Sequence, residues 1–301
     1  MGKSKDFPIK SKRLRDLNTI DINGLAKKFS DRTFWYYTSL ETANLILQNR
    51  CFYINNLTQM NDKEEADIHE LTANKIYALC MCNSKSEKIP MWYLYSGLTG
   101  KGVSIGFTPA VMLEFIRSID RVSCVDDKTE LLKDVGFSLD AAWVYYKEFG
   151  TNRVYFKNKW YSVSDAENFF VDNNVFVKNY SWEYEKEFRI VIKTNDPPKD
   201  SQKLSISIPD SIVQKLKIRL APELSMNVDD LEKFVKRELK GSVVTGNVTK
   251  SGLKIRMGLF ERNIKNLKDS WKTILEEKSL TADDYLYFYE GIKPYLTEHH
   301  V

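Results

Sequence analysis

Residues 76–82 alternate and are apolar enough for a buried strand, and residues 34–38 predict a strand that runs into Ser39. Ser39 can cap a helix through Gln48 that carries Leu45, Ile46 and Leu47, and a further strand follows at 51–54. Pro90 suits the first turn of a short helix over 91–95 that Gly97 can end. The run 102–107 reads as a strand, and Thr108-Pro109 opens a helix through Ile116. Between Arg121 and Asn174 aromatic and charged residues mix around a helix expected near 139–147. Strands follow at 185–192, 204–208 and 216–220, the first closed by the break Asn195-Asp196-Pro197-Pro198. Asn227 caps a helix bearing Val228, Leu231, Phe234, Val235 and Leu239, stopped by Gly241, with strands expected at 242–245 and 253–256. Phe260, Ile264, Leu267, Trp271 and Ile274 recur at spacings of three and four, an amphipathic helix, and Thr281 caps a last helix ended by Gly291 and Pro294. This order of elements predicts an α+β fold with a C-terminal helical extension.

The segment EKEFRIVI, residues 185–192, is the richest in chemistry. Read as a strand, it sets Glu185, Glu187 and Arg189 on one face and Phe188, Ile190 and Ile192 on the other. Two carboxylates roughly 7 Å apart on one strand face repel unless a cation, a ligand hydroxyl or an arginine sits between them. A functional site is one explanation; a solvated face with cross-strand Lys or Arg partners is the other.

Composition narrows the classes. A chain of 301 residues with 43% hydrophobic content, 16 Tyr, 16 Phe and 6 Trp can bury a core and is unlike a disordered sequence. A net charge of +4 is too balanced to argue for nucleic-acid binding by itself. Residues 1–16, however, concentrate Lys3, Lys5, Lys10, Lys12, Arg13 and Arg15 against Asp6 and Asp16, a basic arm that either solubilises the terminus or contacts phosphates. No apolar run approaches the ~20 residues that span a bilayer, and the first 30 residues lack a signal-type apolar core, so a cytoplasmic protein is expected.

Cys51, Cys80, Cys82 and Cys124 fit buried reduced thiols, and with only His69, His299 and His300 a Cys/His zinc site or a Ser-His-Asp triad is not expected. Gly97, Gly100 and Lys101 lack the Walker spacing, and Gly100, Gly102 and Gly106 enter a strand instead of leaving one, so no phosphate loop or dinucleotide fingerprint is present. Asp62 and Glu65 have the spacing of a capping box.

Five blocks resemble a family of bacterial proteins catalogued as a domain of unknown function. They are Tyr36-Tyr37-Thr38-Ser39; Asn61-Asp62 with Glu65; Met91-Trp92 through Tyr95 leading to Gly102-Val103-Ser104-Ile105-Gly106-Phe107; Trp182 with Tyr184 through Arg189; and residues 251–256. The chain also resembles, more distantly, the ADP-ribosyltransferase superfamily, whose fold splits a nicotinamide-binding crevice between two small sheets. Tyr36 to Thr38 is similar to that superfamily's first-strand motif, Asn83-Ser84 to its middle Ser-rich element, and Glu185-x-Glu187 to its late Glu-x-Glu. The chain departs from the pattern in having no Arg or His at Tyr36 or Tyr37 and no Ser-Thr-Ser at Asn83-Ser84.

The resemblance implies a split-sheet core over 18–258, with a basic arm at 1–17 and the helical extension at 259–301, and NAD as cofactor. It implies transfer of ADP-ribose, or NAD cleavage, in a bacterial conflict or anti-phage setting. The acceptor, protein or nucleic acid, and any neutralising or regulatory partner stay open. Cleaving the ribose–nicotinamide bond builds positive charge on the sugar, so Glu187 would stabilise it and hold a ribose hydroxyl while Glu185 orients or deprotonates the acceptor. Tyr37 or Tyr36 would stack on nicotinamide or hold the ribose, only one of them facing the crevice. Thr38, Asn61 and Ser84 would complete the cofactor site, and Arg189 either neutralises the diphosphate or pairs with Glu187. Trp92, Tyr93 and Tyr95 read as core aromatics. Two rivals are a metal-dependent nuclease using Asp62, Glu65, Glu185 and Glu187, and a non-catalytic sensor that binds a partner through its 260–274 helix.

Overall fold

The central strands are buried on both faces: all six positions of Gly102–Phe107 are buried, as are seven of the eight in Glu187–Thr194, Glu187 and Arg189 among them. The computed structural model describes residues 32–60, 72–95, 102–126, 128–148, 150–156, 158–163, 174–196, 203–222 and 247–253, with residues 233 and 237. The basic arm at 1–17, Asn61, Asp62, Glu65, Gly97 to Lys101, the expected 227–241 helix apart from residues 233 and 237, which are helical, the expected strand at 242–245, that at 253–256 beyond Leu253, and the 259–301 extension lie outside the described residues.

The elements are β1 (Phe34–Ser39), α1 (Leu40–Asn49), β2 (Cys51–Asn55), β3 (Ile76–Cys82), α2 (Ile89–Tyr95), β4 (Gly102–Phe107) and α3 (Pro109–Ser118). There follow β5 (Arg121–Cys124), β6 (Glu130–Leu132), β7 (Phe137–Trp143), β8 (Tyr145–Lys147), β9 (Arg153–Phe156), β10 (Lys159–Ser162) and β11 (Val177–Asn179). A 3-10 turn at Tyr180–Glu185 leads into β12 (Glu187–Thr194), then come β13 (Lys203–Ser207), α4 (Asp210–Val213), β14 (Lys217–Leu220) and β15 (Val248–Lys250). They form a mixed α+β architecture of three sheets, ordered β15-β14-β4-β1-β3-β12-β7, β10-β9-β8-β11 and β2-β13-β5-β6.

Caps read from the sequence are in place. The Thr42 amide donates to the Ser39 hydroxyl at the start of α1, and the Val111 amide donates to the Thr108 hydroxyl with Pro109 at the head of α3. Residues 139–147 are not helical: they belong to β7 and β8. Ala141 and Ala142 favour a helix, yet Phe137, Leu139, Ala141 and Trp143 alternate toward the main core, and β7 pairs along its length with β12, which supplies the partner that a period of two needs. The late strand begins two residues later than its sequence reading. Lys186 turns into the left-handed region, so Glu185 closes the 3-10 turn and only Glu187 and Arg189 stand on the strand face.

The large sheet is divided in its middle. β1 pairs through all six residues with β4, whereas β1 and β3 pair only at Trp35 opposite Cys82. Cys82 in turn faces Glu187 on β12, so Trp35, Cys82 and Glu187 form one row across the joint. Gly106, the partner of Trp35 on β4, leaves room for the indole: an added Cβ would lie 2.5 Å from Trp35 Cζ3. A Gly106→Ala variant is therefore expected to lose about 1–3 kcal/mol of stability in urea denaturation, because the displaced indole sits at the joint between the half-sheets. A loss under a few tenths of that would show that the joint is not strained by the methyl.

Candidate active site

Beyond the Trp35–Cys82 joint the two half-sheets part, and a cavity of about 380 Å³ opens between them. Tyr36, Tyr37 and Thr38 line one side, residues 78–82 of β3 the other, and Glu185, Glu187, Arg189, Lys178 and Tyr95 lie within it. The early tyrosines and the late acids, some 150 positions apart in sequence, thus share one hollow.

Strand parity assigns the walls. Trp35 and Tyr37 belong to the small core on the Glu187 side of the sheet, with Cys82 and Trp92; Phe34 and Tyr36 pack into the main core on the other. Tyr37 meets Trp92 edge to face at 4.7 Å, and Tyr36 meets Phe52 the same way at 5.2 Å. Burial pushes the Tyr36 phenol up to about 12 and the Tyr37 phenol higher still, so both stay protonated across the physiological range. Tyr37 is the tyrosine on the carboxylate side.

The charged cluster is almost fully buried: Glu185 and Glu187 are each 3% exposed, Lys178 5% and Arg189 1%. The Lys178 ammonium sits between the two carboxylates, donating to Glu185 Oε2 at 2.8 Å and to Glu187 Oε2 at 3.5 Å. Arg189 grips Glu187 with two prongs, Nε to Oε1 at 2.7 Å and Nη2 to Oε2 at 3.1 Å, and gives Nη1 to the Val175 carbonyl at 2.9 Å. The Tyr95 hydroxyl donates to Glu185 Oε1, and the Glu187 amide donates to the Tyr146 hydroxyl at 2.7 Å. Lys178 also lies over the Trp182 ring at 4.5 Å.

These contacts separate the two acids. Burial disfavours the charged form of Glu187, but Arg189 and Lys178 outweigh it and hold the carboxyl down to about 2. Glu185 is pushed the opposite way, upward, by burial and by the neighbouring Glu187 charge, with Lys178 and Tyr95 opposing. Two like acids in one site with proton affinities driven apart are the arrangement that acid–base and charge-stabilising sites exploit. Burial pushes the Cys80 thiol well up as well, and it hydrogen-bonds Glu187, so it is no thiolate nucleophile.

Of the residues singled out from sequence, Tyr36, Tyr37, Thr38, Glu185, Glu187 and Arg189 come together here, whereas Ser84 is not among the residues lining the cavity and Asn61 lies outside the described residues. The sequence reading missed Lys178, Tyr146 and Cys80, and it placed Tyr95 in the core, where the structure turns its hydroxyl to Glu185. One signal for Lys178 was available: a lone lysine ending the apolar run Val175-Phe176-Val177, just ahead of the Glu-x-Glu. Among the described residues no group of three or more His, Cys, Asp or Glu has the geometry to hold a metal ion. An ammonium already occupies the position between the carboxylates that a divalent cation would take. No helix among the described residues is long and apolar enough to cross a membrane.

Residues 91–190 match the family described as Protein of unknown function (DUF2971). Over that stretch the chain is similar to a domain-of-unknown-function family, the class of family that its blocks resemble. The match spans α2, β4, Lys178 and both glutamates, and leaves the first, second and fifth blocks outside. No curated protein and no solved structure matches the chain.

Proposed function

We propose that the cavity binds the nicotinamide-ribose end of NAD and that the protein transfers ADP-ribose from it, or hydrolyses it, on an ADP-ribosyltransferase-like divided sheet. The observation that carries this reading is the meeting of the Tyr36 to Thr38 wall with the Glu185–Glu187 pair in a hollow where the sheet divides. A volume of about 380 Å³ suits a nicotinamide riboside better than a whole dinucleotide, whose adenylate half would extend beyond it.

The hydrogen bonds already made decide between the two acids. Glu187 accepts from Arg189, Lys178 and Cys80, and its lone pairs are spoken for. Among the described residues Glu185 accepts from Tyr95 and Lys178, which leaves it acceptor capacity toward the cavity. We therefore give the sugar contact to Glu185 and make Glu187 its support, the reverse of the order suggested by sequence. As the C1′–N bond breaks, its electron pair passes to the pyridinium nitrogen and neutralises it, while ionised Glu185 faces the growing positive charge at C1′. Water or an acceptor hydroxyl then bonds to C1′ and gives up its proton, for which Glu185 is within the same site. Tyr37 supplies the flat wall for the nicotinamide ring.

The test is release of nicotinamide from NAD by the purified full chain, with protein, RNA and DNA offered as acceptors. Release supports the reading, and its absence with every acceptor overturns it. A further expected result concerns Lys178. Its charge favours the ionised form of Glu185, so in Lys178→Met the acid limb of the kcat/KM–pH profile moves to higher pH. An unmoved limb would show that Glu185 ionisation does not govern the rate.

A further inference from the structure

The second sheet carries an aromatic row that runs into the site. Its register sets Trp160 of β10 opposite Tyr155 of β9, Tyr155 opposite Tyr146 of β8, and Tyr146 opposite Lys178 of β11, all on one face. The inner end of the row is the buried machinery already described, since Tyr146 bonds the Glu187 backbone and Lys178 bridges the two carboxylates. The outer end is different. Tyr155, Trp160 and Tyr180 contact one another at 4.8–5.3 Å, belong to none of the buried cores among the described residues, and remain partly open to solvent, with Tyr180 39% exposed.

Cations frame these rings. Arg153 lies over Trp160 at 4.9 Å and Lys186 over Tyr155 at 5.1 Å. Burial, with the Lys88 and Arg32 charges close by, pushes the Lys186 ammonium down to about 8. Glu148 pairs with Arg153 and Glu183 with Lys186, so each framing cation already has one carboxylate partner at the rim. The basic arm of residues 1–16 adds further positive charge in the same chain.

We infer that the Tyr155–Trp160–Tyr180 face is a binding platform for single-stranded nucleic acid, whose bases stack on the exposed rings while Arg153, Lys186 and their basic neighbours meet the phosphates. Partly exposed aromatics interleaved with cations suit a chain of flat bases on a negative backbone, and a duplex hides those base faces in its own stack. A protein partner would meet three rings with little aliphatic surface, a poorer fit. The same 3-10 turn carries Tyr180 at one end and Glu185 at the other, so roughly 10 Å of backbone separates the platform from the carboxylates. In terms of the proposed reaction, the acceptor is then a nucleic acid; this last step rests on that reading, while the binding itself does not.

The experiment is fluorescence anisotropy of the full chain with labelled mixed-sequence 12-nucleotide DNA and RNA, their duplexes, and a poly-glutamate peptide as an acidic control. Single strands are expected to bind more tightly than duplexes, with affinity falling as salt rises. Trp160→Ala and Tyr180→Ala should each weaken binding about ten-fold, Trp160→Phe should restore most of it, and thermal melting should confirm that each variant folds. Trp160→Ala should leave nicotinamide release from NAD without acceptor unchanged, so the two proposals fail separately. Equal binding of duplex, equal binding of poly-glutamate, or binding lost on deleting residues 1–17 and indifferent to Trp160 and Tyr180 overturns the platform.

Discussion

Arg189→Leu is expected to destabilise the protein by about 3–5 kcal/mol, the cost of leaving a buried carboxylate without its partner. Arg189 is the largest fully buried side chain among the described residues and spends its guanidinium on both oxygens of Glu187 and on the Val175 carbonyl. Leucine fills part of the volume but leaves Glu187 with Lys178, already shared with Glu185 at a shorter distance. The penalty should shrink when Glu187 is neutralised too, so Glu187→Gln combined with Arg189→Leu recovers stability relative to Arg189→Leu alone. Urea denaturation of the four proteins measures this, and additive losses would show that the two residues do not act as a pair.

The same pair sets an acid dependence with a definite sign. Glu187 is held at about 2 against an ordinary 4.5, so its contribution is complete above about 4.5 and is lost as pH falls toward about 2. Arg189→Leu should flatten stability over that window. Glu185 acts in the other direction: being pushed up in the folded state, it costs stability as pH rises past its ordinary range. Lys178→Met should therefore be more destabilising at neutral than at mildly acidic pH, where Glu185 takes up a proton.

Glu185→Gln is expected to reduce nicotinamide release by about 10²–10³-fold, the scale for removing one preorganised electrostatic contact to a transition state, with little change in KM. Glutamine keeps the shape and can still accept from Tyr95, so the fold should survive. What disappears is the negative charge facing C1′. Wild-type kcat/KM should rise through the raised Glu185 titration, and the residual rate of the variant should lack that limb. A variant within a few-fold of wild type would remove Glu185 from the chemistry and return the sugar contact to Glu187.

Much of the architecture was readable where a local rule had no competitor. Strands 34–38, 76–82 and 102–107 and the two capped helices follow from apolar runs bounded by Ser39, Thr108 and Pro109, all signals within a few residues. The helix expected at 139–147 gives way to strand because alanine preference and strand alternation coexist there, and pairing with β12 decides between them. Glu185 was placed on the strand because nothing in EKEF announces that Lys186 adopts a left-handed backbone.

The candidate site divides along the same line. Sequence by itself determined that two carboxylates and an arginine lie close together at the start of a late strand, and that like charges there need a cation between them, because chain proximity and Coulomb repulsion are local. Only the tertiary structure decided which cation that is, since Lys178 reaches the pair through the β8–β11 sheet. It also decided that Tyr95 meets the pair and that Tyr37 shares their hollow, and that the hollow exists at all, because the cavity is produced by β1 and β3 separating after one paired residue. Strand separation depends on the packing of elements far apart in the chain, and no window of neighbouring residues encodes it.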